Sequence, residues 1–388
     1  MTTTALAPVR RSGRTIDRVT SDPVRPAPAR PVALEDLPLR PDLRGQTPYG
    51  APQLAVPVAL NVNENTHPIP PEVADDIADS VARVLRDVNR YPDREFTQLR
   101  EGFAEYLGHG LTPEQIWAAN GSNEVLQHVL QAFGGPGRTA FGFAPTYSMY
   151  GLLARGVGSG WRTGERGPAF EIDPDDAARQ VAEARPDIVF LCAPNNPTGT
   201  PLRLDVVEAV YDATGGIVIV DEAYREFAPR DEPSALTLLD GRPRLAVSRT
   251  MSKAFAFAGA RVGYLAADPA FIDALRLVRL PYHLSALTQA AASAALRHAD
   301  IMMRAVDDIV EQRDRMSATL EALGYTVYPS WANFVLFGGV NDPSGTWSAL
   351  RDRGILVRDI GIPGHLRVTA GTEEETTAFL EALAEIGN

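Results

Sequence analysis

The chain has 388 residues, of which 45% are hydrophobic and 22% are charged, and its formal net charge at pH 7 is −12. This length is sufficient for two domains with separate cores, and the negative charge argues against nucleic acid or an anionic membrane as a partner. The one cysteine, Cys192, excludes an intramolecular disulfide and a cysteine-cluster metal site, which fits a reducing compartment such as the cytoplasm.

The N-terminal part of the chain has no pattern that predicts a folded core. Residues 1–33 are rich in Pro and Arg and contain few large apolar side chains, so we expect a disordered tail. They lack the apolar core of a signal peptide, and the chain has no run of about 18 apolar residues that would span a membrane. We expect residues 34–70 to form an N-terminal arm.

The next part of the chain alternates between helical and strand patterns. Residues 71–85 and 93–107 carry apolar side chains at helical spacing. Residues 186–194, 215–224 and 244–250 contain continuous apolar runs, which are typical of strands buried on both faces of a parallel sheet. This alternation predicts an α/β domain with a mostly parallel central sheet flanked by helices. Its ligand is expected at the carboxyl ends of the strands.

The last part of the chain predicts a second, smaller domain. A long helical stretch around residues 285–322 is followed by apolar runs at 325–337, 354–360 and 365–370 and by a closing helix, which indicates an α+β arrangement. The predicted division of the chain is a tail at 1–33, an arm at 34–70, a large domain at 71–280 and a small domain at 281–388.

Lys253 is the only lysine in the chain, although Lys and Arg together number 37. A guanidinium stays protonated at any accessible pH, whereas a primary amine can lose its proton and form a Schiff base with a carbonyl. Asp221 ends one predicted central strand, and Lys253 follows another, so both would face the same crevice. An amine and a carboxylate placed there suit pyridoxal phosphate, whose ring nitrogen a carboxylate keeps protonated. Tyr224 could donate to the phenolic oxygen of that ring. The alternative reading of Lys253 is a residual surface charge.

An anion site is predicted next to these residues. A Gly-Ser-Asn turn at residues 121–123 precedes an amphipathic helix, whose free backbone N–H groups and positive dipole end favour a phosphate. The Thr250 and Ser252 hydroxyls and the Arg261 guanidinium could add to it. Taken alone, such a turn is more often an ordinary helix N-cap signal than an anion site. The six histidines have no metal-ligand spacing, so no metal site is predicted.

Three motifs, "PNNPTG", "VDEAYREF" and "SRTMSKAFAFAGARVGY", occur in this order along the chain. With "LNVNEN", "NRYPD", "GSNEV", "PTYSMY" and "ANFVLF" they resemble the fold-type I pyridoxal phosphate aminotransferases, and within these the histidinol-phosphate aminotransferases. The resemblance extends from residue 48 to residue 375. Because several motifs occur in order, it is far more specific than any one of them.

The resemblance implies a role for each residue that matches a motif. It assigns Lys253 as Schiff-base lysine and proton carrier, Asp221 to the pyridine nitrogen, Tyr224 and Asn196 to the phenolic oxygen, Tyr147 to the ring face, and Ser122, Asn123, Thr250, Ser252 and Arg261 to the cofactor phosphate. Tyr91 would reach the phosphate site of a neighbouring subunit, which implies a homodimer. Arg367 would bind the anionic end of substrates, Arg358 and Tyr49 would lie near the substrate phosphate, and Asn333 would be a further substrate-binding residue.

The implied reaction moves the amino group of L-histidinol phosphate to 2-oxoglutarate, giving imidazole acetol phosphate and L-glutamate in histidine biosynthesis. Thr66, His67 and Trp331 differ from the residues expected in their motifs, and we expect them in the region that frames the substrate. Two alternatives remain open at this point. One is a paralogous aminotransferase for another aromatic or cationic amine, and the other is a decarboxylase of the same fold.

Overall fold

A computed structural model describes residues 32–48, 50 and 52–387. Residues 1–31 of the predicted tail and Tyr49 therefore lie outside the described residues. The contacts divide the chain into two units, Met1–Tyr49 and Gly50–Asn388. The described part of the first unit contains two short 3-10 helices, Leu34–Asp36 and Pro41–Leu43.

The helices and strands of the second unit alternate over most of its length. The helices are α1 Pro71–Val84, α2 Thr97–Leu107, α3 Ser122–Phe133, α4 Met149–Gly156, α5 Pro174–Ala184, α6 Leu204–Ala213, α7 Pro269–Val278, α8 Ala286–Arg297, α9 Ala299–Ala322, α10 Pro343–Asp352 and α11 Glu373–Ile386. The strands are β1 Val58–Ala59, β2 Ile116–Ala119, β3 Thr139–Ala144, β4 Gly160–Glu165, β5 Ile188–Cys192, β6 Ile217–Asp221, β7 Leu245–Thr250, β8 Gly263–Ala267, β9 Thr326–Val327, β10 Phe334–Gly338, β11 Ile355–Leu356 and β12 Leu366–Thr369. No helix among the described residues is both long enough and apolar enough to cross a membrane.

The central sheet has seven strands in the order β2-β8-β7-β6-β5-β3-β4. Strand β8 is antiparallel to both of its neighbours, and the other pairs are parallel. Every residue of β5 and β7 is buried, as expected for continuous apolar runs in a sheet covered on both faces. The predicted α/β class with a mostly parallel central sheet is confirmed.

Two predicted helical stretches differ from the structure for local reasons. The stretch 93–107 becomes helical only at Thr97, because the Asp93 carboxylate accepts hydrogen bonds from the N–H groups of Glu95 and Thr97 and Phe96 adopts φ +40°. The stretch around 285–322 forms two helices, α8 and α9, with His298 between them at φ −114° and ψ 26°.

The apolar interior consists of two clusters of buried side chains. One surrounds the central sheet, and the other lies against an antiparallel sheet of order β12-β10-β9 and includes Leu60 from the arm. Helix α9 passes from one to the other, since Ile309 belongs to the first cluster and Met316 to the second. The contacts keep 50–388 as one unit, so the boundary at residue 281 stays a prediction.

Candidate active site at the carboxyl ends of the central strands

The predicted site residues follow the carboxyl ends of parallel strands at one edge of the central sheet. Strand β2 runs in the direction of β7, because both are antiparallel to β8. The residues that follow these strand ends are Ser122 and Asn123 after β2, Tyr147 after β3, Asn196 after β5, Tyr224 after β6, and Ser252 and Lys253 after β7. The sheet topology therefore places residues that are far apart in sequence along one crevice.

The Lys253 amine has an environment that favours its neutral form. Its Nζ atom donates a hydrogen bond to the Val62 carbonyl at 3.2 Å. Burial, together with the positive charges of Arg367 and Arg261, lowers the pKa of this amine to about 8, and Glu64 opposes the shift. A lysine with such a pKa supplies a nucleophile and a base near neutral pH.

Asp221 is the last residue of β6, and its side chain is almost inaccessible to solvent, with 2% exposure. Its Oδ2 accepts a hydrogen bond from the Tyr150 hydroxyl at 2.8 Å, and its Oδ1 accepts one from Ser248 Oγ at 3.0 Å. Burial raises the pKa of the carboxyl, and these two hydrogen bonds oppose the rise. Each carboxylate oxygen still has a lone pair for a cationic ligand N–H. The sequence did not identify Tyr150 or Ser248, although Tyr150 lies within "PTYSMY".

Tyr224 lies between the strand ends and the N-terminal arm. Its hydroxyl accepts hydrogen bonds from Asn196 Nδ2 at 3.3 Å and from Asn63 Nδ2 at 3.0 Å. The Lys253 Nζ atom lies 5.9 Å from the centroid of the Tyr224 ring. Burial raises the pKa of this phenol to about 12, so it stays protonated near neutral pH. Asn63, in "LNVNEN", is a further contact that the sequence did not assign.

Arg367 on β12 is buried and points toward the same region. Its Nη1 donates to Asn196 Oδ1 at 2.6 Å, and its Nη2 donates to the Asn61 carbonyl at 2.9 Å. Its backbone exchanges both N–H···O bonds with Arg358, each at 2.9 Å. Residues directly opposite each other in an antiparallel pair project from the same face, so the Arg358 side chain lies beside that of Arg367.

A small cradle for an anion is formed by the loop before α3. Gly121 precedes this helix with φ +86° and brings no side-chain cap to its first N–H groups. A Cβ on Gly121 would collide with Nη2 of Arg261, and one on Gly263 would collide with the backbone of Ser122. Arg261 Nη1 lies 3.4 Å from Ser252 Oγ. Uncapped N–H groups, a guanidinium and hydroxyls around a space that only glycine leaves open suit a phosphate.

Two further predicted residues border these groups. The Tyr147 hydroxyl donates to Asn123 Oδ1 at 3.3 Å, and the Tyr147 ring packs edge-to-face on Tyr150 with centroids 5.4 Å apart. Thr250 Oγ1 lies 3.0 Å from Ser252 Oγ, at the side of the anion cradle. The structure thus brings the predicted cofactor residues of one chain together, with Tyr91 as the exception.

Tyr91 does not join the cluster within one chain. Its side chain is 79% exposed and stacks on Tyr282, with ring centroids 4.4 Å apart. Asn333, in contrast, is completely buried, and its Nδ2 donates to the Asn63 carbonyl at 3.2 Å. Tyr49 lies outside the described residues, so its predicted role stays a prediction.

The three residues that depart from their motifs lie in two different places. The His67 N–H donates to Asn65 Oδ1 at 2.9 Å, and Asn65 Nδ2 donates to the carbonyl of Ala254, the neighbour of Lys253. Thr66 and His67 therefore lie close to the site. Trp331 instead lines a cleft together with Val220. Successive side chains of a strand point to opposite faces, so Val220 and this cleft lie on the face of β6 opposite to the Asp221 side chain. The expectation that Trp331 frames the substrate is not supported by this position.

Comparisons of the sequence and of the structure with known proteins both find aminotransferases. Residues 56–383 match the model of the family described as aminotransferase class I and II. A histidinol-phosphate aminotransferase from Paenarthrobacter aurescens is 64% identical over 353 residues, which cover 90% of this chain and 95% of that protein. One from Mycolicibacterium smegmatis is 56% identical over 361 residues, covering 92% and 95%. The crystal structure of histidinol-phosphate aminotransferase from Sinorhizobium meliloti in complex with pyridoxal-5'-phosphate superposes with a TM-score of 0.76 at 25% identity, covering 85% of this chain and 91% of that chain.

Proposed function

The chain belongs to the family of class I and II aminotransferases, and on that premise we propose that it transfers the amino group of L-histidinol phosphate to 2-oxoglutarate. The products are imidazole acetol phosphate and L-glutamate, a step of histidine biosynthesis. The observation that carries the proposal is the 64% identity to a histidinol-phosphate aminotransferase over 90% of the chain, combined with the Lys253 and Asp221 arrangement at one sheet edge.

Pyridoxal phosphate is the cofactor of this chemistry, and the residues of the site fit it. The cradle at Gly121 and Arg261 suits the cofactor phosphate, because a side chain at position 121 would fill the space. Asp221 offers a buried carboxylate to the ring nitrogen, and Tyr224 and Asn196 suit the phenolic oxygen. The site therefore has a group for each polar part of the cofactor.

The residues of this chain supply the proton transfers. When bound, pyridoxal phosphate supplies an aldehyde that captures amines and a ring that accepts the electron pair left by the substrate α-proton. With a pKa of about 8, about a tenth of the Lys253 amines are neutral at pH 7 and ready to remove that proton. The buried Asp221 carboxylate holds a positive charge at the ring nitrogen. Arg367 and Asn196 fix the side of the site at which an anionic substrate group binds.

Two arginines suit the two substrates. Histidinol phosphate brings a phosphate, and 2-oxoglutarate brings two carboxylates, and a guanidinium binds either group in a bidentate manner. Arg358 and Arg367 are directly opposite each other in their bridge, so one face of the small sheet carries both charges. Asn333 fixes the arm backbone beside them, and we propose Tyr49 as a further contact with the substrate phosphate.

We further propose that the active form is a homodimer in the cytoplasm, with Tyr91 completing the phosphate site of the partner subunit. Tyr91 is exposed together with its stacking partner Tyr282, and Leu277 and Leu280 nearby in sequence are also exposed. An exposed group of large apolar side chains is typical of an interface. Sedimentation should show a dimer that Leu280→Asp dissociates, whereas the exposed Leu323→Asp should leave it intact. A monomeric wild-type protein would contradict this arrangement.

The experiment that tests the function is a single half-reaction. The protein loaded with pyridoxal phosphate is mixed with L-histidinol phosphate, and its yellow absorption band is followed. Rapid loss of the band, with release of imidazole acetol phosphate, is the expected result. A stable band that other amines bleach would point to a paralogous aminotransferase, and a protein that never develops the band would refute the whole assignment.

A further inference from the structure

Asn63, in the predicted arm, is hydrogen-bonded to Tyr224 after β6 and to Thr369 at the end of β12. It is 1% exposed and adopts φ +56°, a left-handed conformation that Asn tolerates better than most residues. Its backbone N–H donates to Thr369 Oγ1 at 3.0 Å, and its carbonyl accepts from Asn333 Nδ2 at 3.2 Å. Its side-chain Nδ2 donates to the Tyr224 hydroxyl at 3.0 Å. Each of its polar groups therefore has a partner.

The orientation of the Asn63 amide follows from these bonds. Thr369 Oγ1 accepts the Asn63 N–H and lies 3.2 Å from Asn63 Oδ1, to which it donates its one proton. With the amide reversed, the Thr369 proton would lose this acceptor. The network thus turns the Asn63 NH2 group toward Tyr224.

The Tyr224 hydroxyl consequently has only its proton left to give. Its oxygen accepts from Asn63 and also from Asn196, whose amide orientation is fixed because its Oδ1 accepts from Arg367, a pure donor. A hydroxyl oxygen has two lone pairs and one proton, so both acceptor positions are filled. No residue in the described part of the chain accepts the Tyr224 proton.

From this geometry we infer that Asn63 is a positioning residue that makes Tyr224 an obligate hydrogen-bond donor to the phenolic oxygen of the cofactor. The inference rests on the proposed function, since it needs pyridoxal phosphate bound at Lys253. Asn63 itself acts through Tyr224, and Thr369 acts through Asn63.

The test is the pH midpoint of the yellow band in the loaded protein, which reports how tightly the proton between the Lys253 nitrogen and the phenolic oxygen is held. A donor to that oxygen stabilises its anion, so losing the donor moves the midpoint to higher pH. Tyr224→Phe should raise the midpoint by about one to two pH units, the effect of a hydrogen bond to a charged group. Asn63→Gly, which keeps φ +56° accessible, should raise it by at least about half a unit.

The inference is tested most directly by combining the substitutions of Asn63 and Tyr224 in one protein. In the Tyr224→Phe background, Asn63→Gly should produce no further shift, because the group through which it acts is absent. An equal shift in both backgrounds would overturn the inference, as would an unchanged midpoint in Asn63→Gly when Tyr224→Phe moves it. A wild-type protein without the yellow band would instead refute the proposed function, and the inference with it.

If Asn63→Gly fails to fold, a pair of Thr369 variants tests the same inference. Thr369→Val removes the hydroxyl that orients the amide at nearly constant volume, and Thr369→Ser keeps that hydroxyl. We expect an upward shift of the midpoint in Thr369→Val and the wild-type midpoint in Thr369→Ser. Equal midpoints in the two variants would also overturn the inference. Asn65→Ala removes a neighbouring arm amide that does not touch Tyr224, and it should leave the midpoint unchanged.

Discussion

The pKa of Lys253 leads to a quantitative prediction for cofactor capture. This pKa lies near 8 rather than at 10.5, and at pH 7 a difference of about 2.5 units makes the neutral amine about 300-fold more abundant. Only the neutral amine attacks an aldehyde. The capture rate should therefore rise about tenfold per pH unit up to about pH 8 and level off above it.

The assay mixes cofactor-free protein with pyridoxal phosphate between pH 6 and 11 and follows the yellow band. Dividing each rate by the rate constant per neutral molecule of N-acetyl-lysine methylamide at the same pH removes the titrations of pyridoxal phosphate itself and leaves that of the Lys253 amine. Burial is the largest cause of the lowered pKa and the charge of Arg367 is the next, so Arg367→Met should move the plateau upward without returning it to 10.5. A wild-type rate that continues to rise to about pH 10.5 would refute the reasoning.

Three further substitutions test other parts of the site. Lys253→Arg keeps the positive charge but cannot form a Schiff base, so the folded protein should show no yellow band and no turnover; substantial turnover would refute the mechanism. Asp221→Asn should lower turnover by on the order of 100-fold, yet the melting temperature of the cofactor-free protein should not fall, because burial raises the pKa of this carboxyl and the amide carries no charge to desolvate. Gly121→Ala should weaken pyridoxal phosphate binding about tenfold or more by displacing Arg261, as equilibrium dialysis would show. Gly110→Ala is its control, since Gly110 also has a positive φ but open space around it, and equal affinities in the two variants would contradict the cradle.

The sequence predicted the residues that follow strand ends and missed those that reach the site through tertiary packing. Lys253 and Asp221 could be predicted because Asp221 ends one recognisable apolar strand and Lys253 follows another. Parallel strands align their carboxyl ends, so the two residues were expected at the same edge of the sheet. Asn63 contacts Tyr224 across 161 residues and Thr369 across 306, and neither spacing carries a local pattern. A buried amide in the arm resembles an ordinary loop residue until its partners are known.

Tyr91 shows a different limit of sequence reasoning. The motif "NRYPD" predicted a cofactor contact, and within one chain the side chain is exposed and stacked on Tyr282. A residue that serves a neighbouring subunit has no intrachain contact that could test its role. The position of Trp331 has a simpler cause, because its backbone N–H donates to the Gly199 carbonyl at 2.9 Å and the residue lines a cleft with Val220.

The motifs "VDEAYREF" and "SRTMSK" contact each other through the paired strands β6 and β7, and this pairing relates the residues of one motif to those of the other. Asp221 and Ser248 are register partners on β6 and β7 and bond on the cofactor side. The next residues, Glu222 and Arg249, bond on the opposite face at 2.8 Å, where the Ser234 hydroxyl also donates to Glu222.

A buried ion pair is weak evidence for stability, because desolvation offsets much of its Coulomb energy. Its geometric effect is clearer. With one polar contact on each face, the ends of the two strands, about 4.8 Å apart, resist sliding and separation. The carboxylate that ends β6 and the lysine that follows β7 are thereby kept in register, as the binding of one rigid ring by both residues would require. The pair behind the sheet thus serves the chemistry in front of it without touching the cofactor.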